Sequence, residues 1–125
     1  MPGRKHVAIQ RWVEQHANYK YLIVCDADSV LYPNVVRKLV AKAEHHENAH
    51  ILLFQSQLDV ARSPTRFGKY LEPGQNVVHS VLCTANYRIL GCSPYYGHGA
   101  LIRTAPFAAI KVPAHVLSHD MWDIA

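Results

Sequence analysis

At 125 residues, half of them hydrophobic, the chain has enough apolar content for one packed core and too much for a disordered or fibrous polymer. Thirteen Lys and Arg against nine Asp and Glu give a formal charge of +4, but the basic residues are scattered without aromatic interleaving, so no nucleic-acid partner is expected. Cys25, Cys83 and Cys92 lack C-x-x-C spacing and no apolar run nears the roughly 20 residues that span a bilayer, so reduced thiols and a soluble cytoplasmic chain are expected.

Ala8, Ile9, Trp12, Val13 and His16 recur at helical spacing and predict an amphipathic helix over about Lys5 to Ala17. Tyr19 to Cys25 (YKYLIVC) reads as a strand covered on both faces, ending at the polar DADS. After Tyr32-Pro33-Asn34, the apolar positions Val35, Val36, Leu39, Val40 and Ala43 predict a helix over Asn34 to His46, with Asn34 as its N-cap. Ile51 to Gln55 (ILLFQ) is a second buried strand. Pro64, Gly68 and Pro73-Gly74 then punctuate the chain before a helix expected from about Gln75 to Arg88. Gly91 to Gly97 reads as loop, Ala100 to Arg103 as a short strand, and Pro106 and Pro113 as turns.

This alternation predicts an α/β layer of mostly parallel strands flanked by helices, a single domain over residues 1–125. The two long runs are expected to be neighbouring parallel strands, with the helix crossing between them. In such sheets ligands collect beyond the carboxyl ends of the strands, where Asp26 and Asp28 fall. Alternate residues on extended backbone point the same way, so D-x-D can turn both carboxylates toward one hard cation. Mg²⁺ or Mn²⁺ takes such oxygen ligands together with substrate phosphates. D-x-D is also an ordinary turn sequence or helix cap, and position on the sheet is what favours the metal reading.

The stretch KYLIVCDADSVLYPNVVRKLV resembles the D-x-D segment of family 2 glycosyltransferases, in particular those that make osmoregulated periplasmic glucans, and more distantly the cellulose synthases. Tyr95-Tyr96-Gly97-His98-Gly99-Ala100-Leu101-Ile102-Arg103 is similar to the family's Y-W-G-H-N-A-I-I-R block. Leu117-Ser118-His119-Asp120 is similar to its I-L-S-H-D, and Gly3-Arg4-Lys5 to its G-R-K. The matches occur in the family's order over nearly the whole chain. Two departures stand out: Gly99 replaces the family's Asn, and His6-Val7-Ala8 follows Lys5 where the family has A-G-N.

The resemblance implies a partial, Rossmann-like GT-A fold and inverting, metal-dependent transfer of a hexose, glucose by preference, from a UDP-sugar to a glycan acceptor. It implies Asp28 as principal metal ligand, with Asp26 at the metal shell or the nucleoside, and Mg²⁺ or Mn²⁺ as the cofactor. Asp120 would be the general base, while Lys5, His98, Arg103 and His119 would line the donor and acceptor pocket. Each also has a plainer reading: a helix cap for Asp120, a turn for His98, a surface ion pair for Arg103, a solvated side chain for Lys5.

Measured against the family, the early nucleotide-binding strands, a Q-x-x-R-W segment and the transmembrane helices are missing. The chain is therefore expected to be the metal-binding and catalytic-base part of a longer enzyme, held at the cytoplasmic face of the inner membrane through those missing parts. The alternative is a catalytically inactive truncated module. Uncovered strand edges would favour partner binding or a homo-oligomer in either case. A zinc site at His115, His119 and Asp120 is the weakest reading, because Val116 stands where H-E-x-x-H needs its Glu.

Overall fold

In the computed structural model, which describes residues 4–59, 63–92 and 94–110, each apolar run becomes an element close to its predicted place. The helix α1 spans Arg4–Gln15, the strand β1 Tyr21–Val24, the helix α2 Pro33–Glu44 and the strand β2 Leu53–Gln55. The long helix α3 follows at Arg66–Leu90, then β3 at Ala100–Arg103 and the short helix α4 at Thr104–Ala109. The chain divides into two compact units, one of Met1–Ser56 with Tyr95–Ala125 and one of Gln57–Pro94.

The first unit is a three-stranded sheet in the order β1-β3-β2. Leu22 pairs with Ile102 and Ile23 with Leu101 on one side of β3, and Leu53 pairs with Ile102 and Phe54 with Leu101 on the other. Both ladders are antiparallel, which corrects the expectation of neighbouring, mostly parallel strands. β1 and β2 do run the same way, since each opposes β3, but β3 lies between them. A β-α-β alternation settles direction; it leaves open whether a later strand inserts. The centre loses water on both faces, and Ala100, Leu101 and Ile102 suit it, at 0%, 2% and 0% exposure.

Period-two alternation along β3 splits the core in two. Ala100 and Ile102 join Val13 of α1, Leu22, Tyr95 and Phe107 of α4 on one face, while Leu101 joins Leu39 and Ala43 of α2 on the other. Burying side chains of this size stabilises by roughly 1.5–3 kcal/mol each. Pro33 stands at N1 of α2, where its missing N–H costs nothing, so the cap is Tyr32, with no side-chain bond, and not Asn34. Pro106, expected in a turn, lies in the first turn of α4 for the same reason.

At the far end of the sheet from Asp26, Lys20 reaches both Glu44 oxygens at 2.7 Å and Tyr21 donates to Glu44 at 2.8 Å. The hydrogen bond from Lys20, then that from Tyr21, holds the Glu44 carboxyl below its ordinary range, and the same contact with Glu44 raises the Lys20 ammonium. The pair is exposed, so its contribution is small.

In the second unit α3 begins earlier than Gln75 and runs through Pro73-Gly74. A proline inside a helix removes one N–H donor, and here the helix continues past it. Thr65 caps the start, its Oγ1 accepting from the Gly68 amide at 3.0 Å, and Gly91 closes the end at φ 71°. Gly68 has no room for a methyl, which would overlap the Ser63 hydroxyl that braces Thr65, whereas a methyl on Gly74 meets nothing within 4 Å. Gly68→Ala is therefore expected to destabilise by about 1 kcal/mol, the worth of a cap, although Ala is the better helix former. Gly74→Ala should stabilise by about 0.5–1 kcal/mol. Urea unfolding of the two variants checks the contrast; equal stabilisation of both would show that the cap is not packed this way.

Candidate functional site

The shared direction of β1 and β2 brings their carboxyl ends together at the amino end of β3, and the polar residues that follow them meet there. Gly99 donates its amide to the Val24 carbonyl at 2.8 Å, tying the start of β3 to the end of β1. The chain after β1 turns at once, with Ser29 N–H donating to the Asp26 carbonyl at 3.0 Å. Asp26 thereby sits beside the segment that carries His98.

Lys5 and His98 both approach the Asp26 carboxylate, and Ser29 backs His98. Lys5, on the first turns of α1, places Nζ 2.6 Å from Oδ1, with side-chain exposures of 44% and 41%. His98 Nε2 lies 3.8 Å from Oδ2, beyond hydrogen-bond reach, so the contact is electrostatic when the ring is protonated. Ser29 Oγ lies 3.3 Å from His98 Nδ1. Asp28 is exposed in the turn, and nothing among the described residues bonds its carboxylate.

Beneath this cluster lies a polar network that sequence reasoning missed. The Gln55 carboxamide donates to the His98 carbonyl at 3.1 Å and to the Ser56 carbonyl at 3.1 Å, and accepts from the Tyr96 amide at 3.3 Å. Ser56 donates both its amide and its hydroxyl to the Gly99 carbonyl. The available signal was the polar pair Gln55-Ser56 closing the apolar ILLF run at the same sheet end as the aspartates.

Gly97 and Gly99 adopt φ of 79° and 68°, the left-handed region that Gly enters freely and Asn more readily than other residues. Gly99 stands where the resemblance places Asn, so the exchange keeps the one backbone conformation this position requires. The two turns present His98 between them.

Arg103 is not brought to this cluster. It stands opposite Tyr21 while Ala100 stands opposite Val24, three residues or about 10 Å along the strand. Its guanidinium donates to the Ile51, Ala43 and Asn48 carbonyls at 2.8, 2.6 and 3.1 Å and to the Tyr21 hydroxyl at 3.3 Å. That is a cap on the end of α2 and the 3-10 turn His46–Asn48 that follows it. Asp120 and His119, together with the alternative zinc residue His115, lie outside the described residues.

Lys5, Asp26 and His98 thus converge with Asp28 nearby in sequence, and Arg103 stands apart. Among the described residues no group of three or more His, Cys, Asp or Glu is arranged to hold a metal ion. Asp26 and Asp28 offer hard oxygen, the first already paired with an ammonium, and the turn at Asp26 replaces the extended backbone expected to aim both at one point. That suits a Mg²⁺ or Mn²⁺ that arrives with phosphate oxygens, and does not suit a self-sufficient protein cage. No helix among the described residues is long and apolar enough to cross a membrane.

No solved structure matches the chain. Its similarity lies with curated sequences, among them "Glucans biosynthesis glucosyltransferase H" of Xylella fastidiosa, 33% identical over 98% of this chain and 21% of that protein. The protein of the same name from Xanthomonas campestris pv. campestris is 31% identical over the same shares, and that of Klebsiella pneumoniae 33% identical over 93% of this chain and 14% of the relative. The chain spans about a fifth or less of the length of these relatives. The sequence profile of glycosyl transferase family 2 matches residues 10–110, a stretch that takes in the strand before the aspartates, the Gln55-Ser56 pair and the whole of β3, so the chain belongs to glycosyl transferase family 2.

Proposed function

We propose that this chain forms the donor-side core of a glucosyl-transfer site, one that takes a UDP-sugar with Mg²⁺ or Mn²⁺ and passes the hexose to a glycan acceptor with inversion. The observation that carries the reading is the convergence of Lys5 and His98 on Asp26 at the carboxyl ends of β1 and β2, beside an exposed Asp28 whose carboxylate no described residue bonds. Asp28, seconded by Asp26, would hold the metal, which when bound offsets the charge developing on the departing diphosphate. Lys5, released from Asp26, supplies a cation to the phosphates, and His98 orients the donor from between its two glycines. Asp120 removes the proton from the acceptor hydroxyl, a task open to a carboxylate within hydrogen-bond reach, with His119 beside it in the chain. Residues 1–125 act as a single part of a longer enzyme at the cytoplasmic face of the inner membrane. The names of the relatives support glucose as the sugar and a glucan as the product.

Calorimetric titration tests the reading. Two carboxylates form only part of a coordination shell, so Mn²⁺ alone should bind weakly and UDP should tighten it, with UDP tightened equally in return. Asp28→Asn is expected to cut that mutual effect by roughly tenfold while leaving the melting temperature unchanged. Metal and UDP affinities that ignore each other, or a coupling that survives Asp28→Asn, would refute the proposed role. The second reading, a catalytically inactive module that associates with itself or a partner, is favoured by a separate observation, the exposed apolar face of α3.

A further inference from the structure

The helix α1 opens on Arg4-Lys5-His6 and has no acidic residue in its first turn, although the unpaired amides at that end favour anions and work against cations. Lys5 therefore adds nothing to the helix's own stability. Its ammonium turns instead to a carboxylate 21 residues away in the chain, Asp26, at 2.6 Å from Oδ1. The helix is anchored elsewhere: Val13 is buried in the core and Ile9 packs against the same cluster. The flexible four-carbon stem of Lys5 can thus make and break the contact without moving α1.

A carboxylate oxygen held in this way is not open to a second cation. The ammonium must leave Oδ1, or repel the newcomer, before a divalent ion takes that oxygen, and His98 Nε2 stands 3.8 Å from Oδ2. A diphosphate changes the balance, because its oxygens accept the ammonium as a compact charge that demands no fixed geometry. We propose that Lys5 is a specificity-determining residue, an internal competitor that withholds Asp26 from free divalent cations and yields it when a nucleoside diphosphate offers the ammonium other oxygens. The site thereby selects the metal–diphosphate pair over either ion alone, and Lys5 carries part of the coupling between them. Resting on the donor-site reading, this assigns Lys5 a part that a lysine bound only to phosphate does not have.

Titrations of the whole chain with Mn²⁺, with UDP and with each in the presence of the other test it, free Mn²⁺ being followed by electron paramagnetic resonance. Lys5 is exposed, so its variants keep the fold. In Lys5→Met, Mn²⁺ alone should bind roughly two- to fivefold more tightly, the worth of a part-exposed ion pair. The factor by which UDP tightens Mn²⁺ should shrink by about the same amount. Lys5→Arg, which keeps a cation opposite Asp26, should hold both quantities near the wild type. An unchanged Mn²⁺ affinity in Lys5→Met overturns the proposal. So does a Mn²⁺ affinity that rises while the coupling factor stays at its wild-type value, since that is a charge acting at a distance and not a handover. Both of these results leave the donor site standing, whereas a wild type in which Mn²⁺ and UDP ignore each other overturns the donor site and the role of Lys5 together.

Discussion

Arg103→Met is expected to destabilise the protein by about 3 kcal/mol and to leave the proposed nucleotide binding by the remaining folded molecules unchanged. The guanidinium satisfies carbonyls of Ile51, Ala43 and Asn48, two of them at the end of α2 and its 3-10 turn, where no intrahelical donor remains. It also packs over the Tyr21 and Phe54 rings, at 5.7 and 5.9 Å from their centroids. Methionine keeps the volume of the stem and supplies no donor, so up to three acceptors lose their partner at roughly 1 kcal/mol or more apiece. In a chain of this size that is a fall of about 10 °C in melting temperature. Lysine, a single-point donor, should recover only part of the loss. Thermal melts of the two variants, with UDP titrations below the transition, make the comparison. An unchanged melting temperature combined with lost UDP binding would move Arg103 from scaffold to donor pocket.

The second large effect is expected at Gln55. Its carboxamide holds the Tyr96 amide and the His98 carbonyl from below, so Gln55→Leu removes the support of the segment that presents His98 while keeping the side chain's bulk. Three backbone groups, the Tyr96 amide and the His98 and Ser56 carbonyls, each lose this partner, at a cost of about 2–3 kcal/mol in all. Under the proposed function, the loosened loop should weaken metal-dependent UDP binding by an order of magnitude or more, as small misplacements of a positioned group do. Amide hydrogen exchange at residues 96–99 reads the loosening directly. Gln55→Glu keeps the acceptor and loses the donor, and should fall between the two. If exchange at these amides is as slow in Gln55→Leu as in the wild type, the network does not position His98, whatever the binding data show.

Much of this arrangement was legible in the residues. The β-branched run before the aspartates, the 3.6-residue period of Val35, Leu39, Val40 and Ala43, and the apolar ILLF are local patterns, and each formed its element within a few positions. Family 2 membership was legible in the ordered segments around Asp26 and His98. The helix α3 was read too short because Pro73-Gly74 is a turn signal in isolation. One missing donor is tolerable when Thr65 and Gly91 cap the ends and 25 residues propagate between them.

By itself the sequence determined the composition of the strands, the direction that β1 and β2 share, and the glycines on either side of His98, because pleat, helix period and left-handed backbone are properties of a few consecutive residues. Only the tertiary structure decided that β3 inserts between β1 and β2, since the identity of a ladder partner depends on chain far away in sequence and on which strand can lose water on every side. The same insertion separated two residues that the family resemblance had grouped. His98 precedes β3 and Arg103 ends it, so an antiparallel central strand carries one to the carboxyl ends of its neighbours beside Asp26 and the other to their amino ends, under the close of α2.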